Sequence, residues 1–211
     1  APAGGGPVGP PAGADGPGGL GGGGAAPAPQ MVFTVHDDER FGLPAPMAAG
    51  ARIFAQGDAL MSQTGNDVAR KLVDAPRLKP WAVSPDGTKI AYATADTDAA
   101  NSGWTIRTID ARTGANVDSD VRWVRQSAIA WTADSKGFFY SGGNAPPPGA
   151  TGGGGGGGLV FYHLLGQQRA DDRRVLWSDR GGMVHYAETS EDGRWVVING
   201  SVGGNGKSEI N

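Results

Sequence analysis

Polar and apolar positions alternate in short bursts along this chain, and three of the bursts are built alike. SPDGTKIAY (84–92) follows Ala82 and Val83, TADSKGFFY (132–140) follows Ile129, Ala130 and Trp131, and SEDGRWVVI (190–198) follows Glu188 and Thr189. Each holds a Ser/Thr-x-Asp turn and then a run rich in aromatic or β-branched side chains. Such side chains suit a pleated, half-buried surface, while Ser, Thr and Asp bond their own backbone in turns. Each burst therefore predicts two antiparallel strands joined tightly. The turn residues Asp86, Asp134 and Asp192 recur at intervals of 48 and 58 residues, which marks a repeat architecture.

Between the first two turns the pattern predicts two further strands, WTIRTID (104–110) and 121–124, separated by a turn at Thr113 and Gly114. Four strands in about 45 residues is the size of a β-propeller blade. The second unit starts at Ala128, with LVFYHLL (159–165) as its third strand and 173–177 as its fourth. Its ten extra residues fall in 142–158, which holds Pro146, Pro147, Pro148 and seven consecutive glycines (152–158). An insert there costs little, because loop-closure entropy grows only with the logarithm of length. A third unit has strands at 184–187 and 195–198, and a start of another at Ser208, so the chain is expected to be a fragment that stops in mid-blade. Upstream, RIFAQ and RKLVD within 51–74 predict two strands around a polar loop, with one or two helical turns over 66–73 as the alternative. Residues 31–46 read as an edge strand or a linker. The fold expected is all-β: a partial β-propeller of about two complete four-stranded blades plus parts of two more.

Composition changes this picture only at the N-terminus. All but four of residues 1–30 are Gly, Ala or Pro, and such a segment cannot bury enough apolar surface to offset its ordering. The division expected is a disordered tail (1–30), a linker with a partial first blade (31–78), and blades (79–211). A net charge of −3 gives no footprint for nucleic acid. The absence of cysteine excludes disulfide and thiolate chemistry. No stretch approaches the roughly 18 apolar residues of a membrane span, so no membrane partner is expected. Nothing at the N-terminus resembles a signal peptide, although one already removed leaves no trace; a cytoplasmic and a periplasmic location both stay open.

Candidate chemistry is sparse. His36, His163 and His185 lack the spacing of clustered metal ligands. His163 alternates with aromatic neighbours and reads as a structural strand histidine, and no metal or cofactor is expected. Asp171 and Asp172, followed by Arg173 and Arg174, read as solvated surface charge. Asn199-Gly200-Ser201-Val202-Gly203 fails the G-x-S-x-G nucleophile elbow at its first position, which leaves Ser201 a blade-loop serine. The stretch ending in Gly206, Lys207 and Ser208 has Ser201 where a phosphate-binding G-x-x-x-x-G-K-[ST] loop needs glycine. Trp104, Trp131, Trp177 and Trp195 recur at strand positions and read as blade core.

Several stretches resemble the propeller of the prolyl oligopeptidase family of serine peptidases. They are SPDGTKIAYA, GWTIRTIDARTG, WVRQSAIAWTADSKGFFYS, LVFYHLLGQQRADDRRVLW and SEDGRWVVI, in that order. The least generic is 160–176, aromatic-Tyr-His-x-Leu-Gly followed by Asp-Asp and an apolar strand. The resemblance covers roughly 80–198 and, weakly, 52–74.

It implies a seven-bladed propeller that caps an α/β-hydrolase domain and admits only short peptides. The hydrolase domain would carry the serine, aspartate and histidine and cleave after proline; no catalytic residue is expected in this chain. The partners implied are short peptide substrates and that catalytic domain. Where the family often has a cavity-facing phenylalanine, this sequence has Gln126, the one candidate substrate-binding residue. Where the family often continues the FFYS strand with arginine, it has Gly142. The rival reading is a non-enzymatic TolB- or WD40-like propeller that binds protein, since bare S-x-D-G turns serve it equally well. A partial ring leaves inter-blade faces and strand edges bare. Expressed alone, the chain is therefore expected to be poorly soluble or partly molten and without peptidase activity; a monodisperse monomer with a sharp two-state melt would contradict this.

Overall fold

In a computed structural model of the chain, the described residues are 39–40, 51–97, 103–144, 158–176, 183–202 and 208–210, of which 39–40, 202 and 208–210 are described by backbone alone. The expected tail (1–30) and Trp177 lie outside them. The strands are β1 (Glu39–Arg40), β2 (Ala51–Gln56), β3 (Ala59–Thr64), β4 (Arg70–Asp74), β5 (Leu78–Val83), β6 (Lys89–Ala95), β7 (Trp104–Asp110), β8 (Val121–Trp131), β9 (Gly137–Gly142), β10 (Leu159–Leu164), β11 (Arg173–Leu176), β12 (Met183–Thr189), β13 (Val196–Val202) and β14 (Ser208–Ile210). All named pairings are antiparallel between sequence neighbours, in three sheets: β1 to β4, β5 to β11, and β12 to β14. This is the partial β-propeller expected.

The seven-stranded sheet is two blades joined through β8. The first part of β8 pairs with β7, Val121 opposite Ile106 and Val124 opposite Trp104, while its second part pairs with β9 from Ile129 to Trp131. Blade 2 is thus β5 to β7 plus early β8, and blade 3 is late β8 plus β9 to β11. Blades 1 and 4 are β1 to β4 and β12 to β14.

The period-two side-chain pattern of a strand makes each blade two-faced, and blades 2 and 3 bury both faces. Along β6, Ile90 and Tyr92 join Ile53, Leu60 and Leu72 of blade 1, whereas Ala91 and Ala93 join Ile129, Trp131, Phe138 and Tyr140 of blade 3. Ala130 and Val160 of blade 3 meet Ala187 of blade 4. Aromatic rings fill the blade 3 side: Trp131 and Phe138 meet edge to face at 5.3 Å, and Tyr140 stacks on Phe161 at 5.6 Å. Each such pair adds about 0.5–1.5 kcal/mol beyond the area buried.

The three Ser/Thr-x-Asp turns share one set of bonds. The hydroxyls of Ser84, Thr132 and Ser190 donate to the Oδ1 atoms of Asp86, Asp134 and Asp192 at 2.6, 2.7 and 2.6 Å. Those carboxylates in turn accept the amides of Thr88, Lys136 and Arg194. The fourth turn residue is left-handed in every copy: Gly87 (φ 69), Ser135 (φ 57) and Gly193 (φ 67). Ser135 tolerates this while its Oγ accepts the Asp86 amide at 3.0 Å, tying the turns of blades 2 and 3. Along the inner strands, the Trp131 indole donates to the Ala82 carbonyl at 3.1 Å and the Thr189 hydroxyl to the Trp131 carbonyl at 2.7 Å. Residues of β5, β8 and β12 line an open cleft of about 420 Å³.

Three sequence expectations need correction. Within 51–74 there are three strands rather than two, and 66–69 is a turn and an extended link, not helix. The polar look of β3 comes from its outer face, where Arg52 of β2 donates to Gln63 from its Nε at 2.7 Å and also from its Nη2, while Leu60 is buried on the other face. Trp195 is 65% exposed and not core. It occupies the place that Lys89 and Gly137 hold in the other repeats, directly after the turn, where its amide bonds the Ser190 hydroxyl at 3.0 Å. Ser201 lies inside β13, paired with Val184 and Ser208, and not in a loop.

Blade 1 meets blade 2 closely at Gly114. Its φ is 77°, and an added Cβ would sit 2.2 Å from the Leu72 carbonyl oxygen, whereas Gly65 (φ 52) has nothing within 4 Å. Gly65→Ala is expected to cost about 1–2 kcal/mol for left-handed backbone alone. Gly114→Ala should cost at least about twice that, because the blades must also part. Thermal unfolding of the intact gene product checks this: equal losses in Tm would show that the blades do not meet there.

Candidate functional site

The chain passes from blade 2 to blade 3 at residues 123–127, and this crossover presents Gln126. Trp123 (φ 59) and Gln126 (φ 39) are both left-handed, as is Arg77 (φ 54) at the crossover from blade 1 to blade 2. Left-handed backbone is uncommon outside glycine and an outlier for a bulky residue, so it persists only where the surroundings impose it. Here two glycines make room. A Cβ on Gly103 would lie 2.8 Å from the Val124 carbonyl oxygen, and one on Gly142 would lie 2.8 Å from that of Trp123. The Gly143 amide donates to the Trp123 carbonyl at 3.0 Å. Ser127 is buried, and its Oγ accepts the Ser141 amide at 2.7 Å. The backbone on both sides of Gln126 is thus fixed, and its side chain is left exposed.

Lys79 places its ammonium over the Trp104 ring at 5.7 Å, and Arg122 places its guanidinium over Trp123 at 5.8 Å. Two cation–ring contacts thus lie on β5, β7 and early β8, in the blade that leads the chain into the crossover.

Beside the crossover lies a buried charge cluster. The His163 side chain is fully buried, with Nε2 2.9 Å from Asp118 Oδ2 and Nδ1 2.6 Å from Asp172 Oδ1. A carboxylate only accepts, so both contacts are hydrogen bonds only when the imidazole donates from both nitrogens, as the imidazolium. Burial alone would lower the His163 pKa; the two carboxylates outweigh it and lift it to about 9. Burial likewise pushes Asp118 up, but bonds from His163 and the amides of Gly166 and Ser119 bring it below the ordinary carboxylate range.

The Tyr140 hydroxyl donates to Asp172 Oδ2 at 2.7 Å, and burial first, then Asp172, raises its pKa. Arg169, in the 3-10 turn Arg169–Asp171, completes the cluster. Its Nε is 3.9 Å from Asp172 Oδ2, its guanidinium lies 4.2 Å from the Phe161 ring centroid, and its Nη2 donates to the Gly143 carbonyl at 3.0 Å. Two carboxylates thus face two cations. Asp118 belongs to blade 2 and the other members to blade 3, so the cluster is an inter-blade latch.

The sequence reading placed His163 as a structural strand residue, and its full burial agrees with that. It missed Asp172, whose side chain is as buried as that of His163 and is not solvated surface. Asp171, Arg173 and Arg174 are the exposed members of that run. Nothing local announces Asp118, which lies 45 residues from its partner. His185 is buried, with Nδ1 unbonded and packed near Gly158. His36 and 203–207 lie outside the described residues. Among the described residues no group of three potential ligands is placed to hold a metal ion.

A family model described as the prolyl oligopeptidase N-terminal beta-propeller domain matches residues 73–210. A structure from a study of two prolyl endopeptidases, concerned with inter-domain dynamics in catalysis and specificity, is 26% identical with a TM-score of 0.64; the match covers 82% of this chain and 26% of that one. Prolyl oligopeptidase B from Galerina marginata, as the apo protein, is 20% identical with a TM-score of 0.63, covering 82% and 28%. The same enzyme bound to a 25mer macrocyclization substrate gives 21% and 0.63 over the same shares. This chain therefore spans little more than a quarter of the length of the solved structures it matches. No curated protein matches it.

Proposed function

The chain belongs to the prolyl oligopeptidase N-terminal β-propeller family, and from that premise we propose that it is the substrate-gating part of a serine peptidase that hydrolyses short peptides. The blades break no bond themselves. They form one wall of a cavity that folded proteins cannot enter, and Gln126 contacts the peptide from that wall. Acyl transfer belongs to an α/β-hydrolase domain of the same protein, whose serine nucleophile attacks the peptide carbonyl while an oxyanion hole holds the developing charge. In this reading 1–30 is a tail, 31–78 a linker with the first blade, and 79–211 the remaining blades.

The observation that carries the reading is the family match across 73–210, which takes in the crossover with its exposed Gln126. The relative solved with a 25mer substrate supports peptides as the ligand class. Two tests follow. The reading frame of the intact gene should contain a G-x-S-x-G followed by Asp and His; an open reading frame that finishes the propeller without them would refute the proposal. In the intact gene product, Gln126→Phe is expected to shift kcat/KM by roughly tenfold towards peptides with an apolar residue next to the proline. A preference identical to the wild type would remove Gln126 from the substrate wall.

A further inference from the structure

Gly143 is held at both ends. Its amide goes to the Trp123 carbonyl at 3.0 Å, and its own carbonyl receives the Arg169 guanidinium at 3.0 Å. Trp123 is one of the two left-handed residues that shape the crossover, and a strained backbone needs its neighbours to keep it in place. Arg169 is itself buried. Its guanidinium lies 4.2 Å from the Phe161 centroid and 5.4 Å from that of Tyr140, with Asp172 Oδ2 3.9 Å from its Nε. The plane of the guanidinium lets one group stack on a ring and bond a carbonyl at once, which an ammonium cannot do.

We propose that Arg169 is a positioning residue for peptide binding: anchored by Asp172 and the Tyr140–Phe161 ring pair, it fixes Gly143, and through Gly143 the Trp123–Gln126 backbone that presents Gln126. The proposal rests on Gln126 facing the substrate, as set out above. Arg169 touches no peptide. It acts by keeping the crossover in one conformation, so its loss weakens binding through the same atoms as loss of Gln126.

The test compares Arg169→Met, Arg169→Lys, Gln126→Ala and the double variant Arg169→Met/Gln126→Ala in the intact gene product, by amide exchange and by kinetics on a short proline-containing peptide. Arg169→Met is expected to speed exchange of the Gly143 amide by roughly tenfold, the scale of one lost hydrogen bond, while the Gly87 turn amide keeps its wild-type rate. Arg169→Lys should fall between, because it keeps the charge without the planar fork. The peptide KM should rise in Arg169→Met and in Gln126→Ala, with kcat changed much less, and the double variant should be no worse than the more affected single one. Wild-type exchange at Gly143 in Arg169→Met, or in Arg169→Lys where the Met variant does not fold, would overturn the proposal. So would KM effects that multiply in the double variant. A Gln126→Ala enzyme with wild-type KM would instead overturn the substrate-facing reading, with the exchange result still deciding what Arg169 does to the crossover.

Discussion

Alanine at position 163 is expected to open the boundary between blades 2 and 3. It would leave Asp118 and Asp172 buried without the cation between them, and breaking a buried ion pair by removing one partner costs about 3–5 kcal/mol. The same principle sets a sharper expectation: replacing Asp118, His163 and Asp172 together by apolar residues of similar volume should cost less than the single alanine, because no stranded charge then remains. The readout is exchange at the Ser119 and Gly166 amides, both of which donate to Asp118 Oδ1. In His163→Ala they should exchange roughly a hundredfold faster, the equivalent of about 3 kcal/mol. Unchanged protection would mean that the latch does not hold the blades together.

The same boundary should loosen as the solution turns alkaline. The folded-state pKa of His163 is raised to about 9 from an ordinary 6.5. Its contribution is therefore complete below about pH 6.5 and is lost as pH rises through 9, with a slope of at most about 1.4 kcal/mol per pH unit. Asp118 is lowered, so its contribution is present above its ordinary value of 3.8 and is lost as pH falls through its folded value. The latch should be tightest between about pH 4 and 6.5. Protection at Gly166, corrected for intrinsic exchange, should decline from pH 6.5 to 9.5 in the wild type and stay level in His163→Ala. A level wild-type profile would show that His163 is not held as the imidazolium.

Much of the architecture was legible because blade strands are short, alternate strictly and are punctuated by turn residues. The repeats around Asp86, Asp134 and Asp192 placed three hairpins correctly, and the 159–165 and 173–177 segments named β10 and β11 to within a residue or two. Legibility failed where the local pattern and the tertiary partner disagree. β3 hides behind Gln63, on the face opposite the buried Leu60, and Asp172 hides in a charged run of which it alone turns inward. Trp195 looked like core because tryptophan usually is, yet its place in the repeat is one where the other blades carry lysine and glycine. The proposal for Gln126 rests on the family resemblance. The left-handed backbone that shapes its crossover, and the Arg169 to Gly143 bond behind it, depend on contacts between segments far apart in sequence.

The most direct measurement of the gating role compares two substrates of the intact gene product: a short proline-containing peptide, and the same sequence embedded in a stably folded protein. The free peptide is expected to be cleaved and the embedded copy to survive under the same conditions. Failure to cleave the free peptide, or equal cleavage of both, would contradict a propeller that admits only short peptides to a serine peptidase.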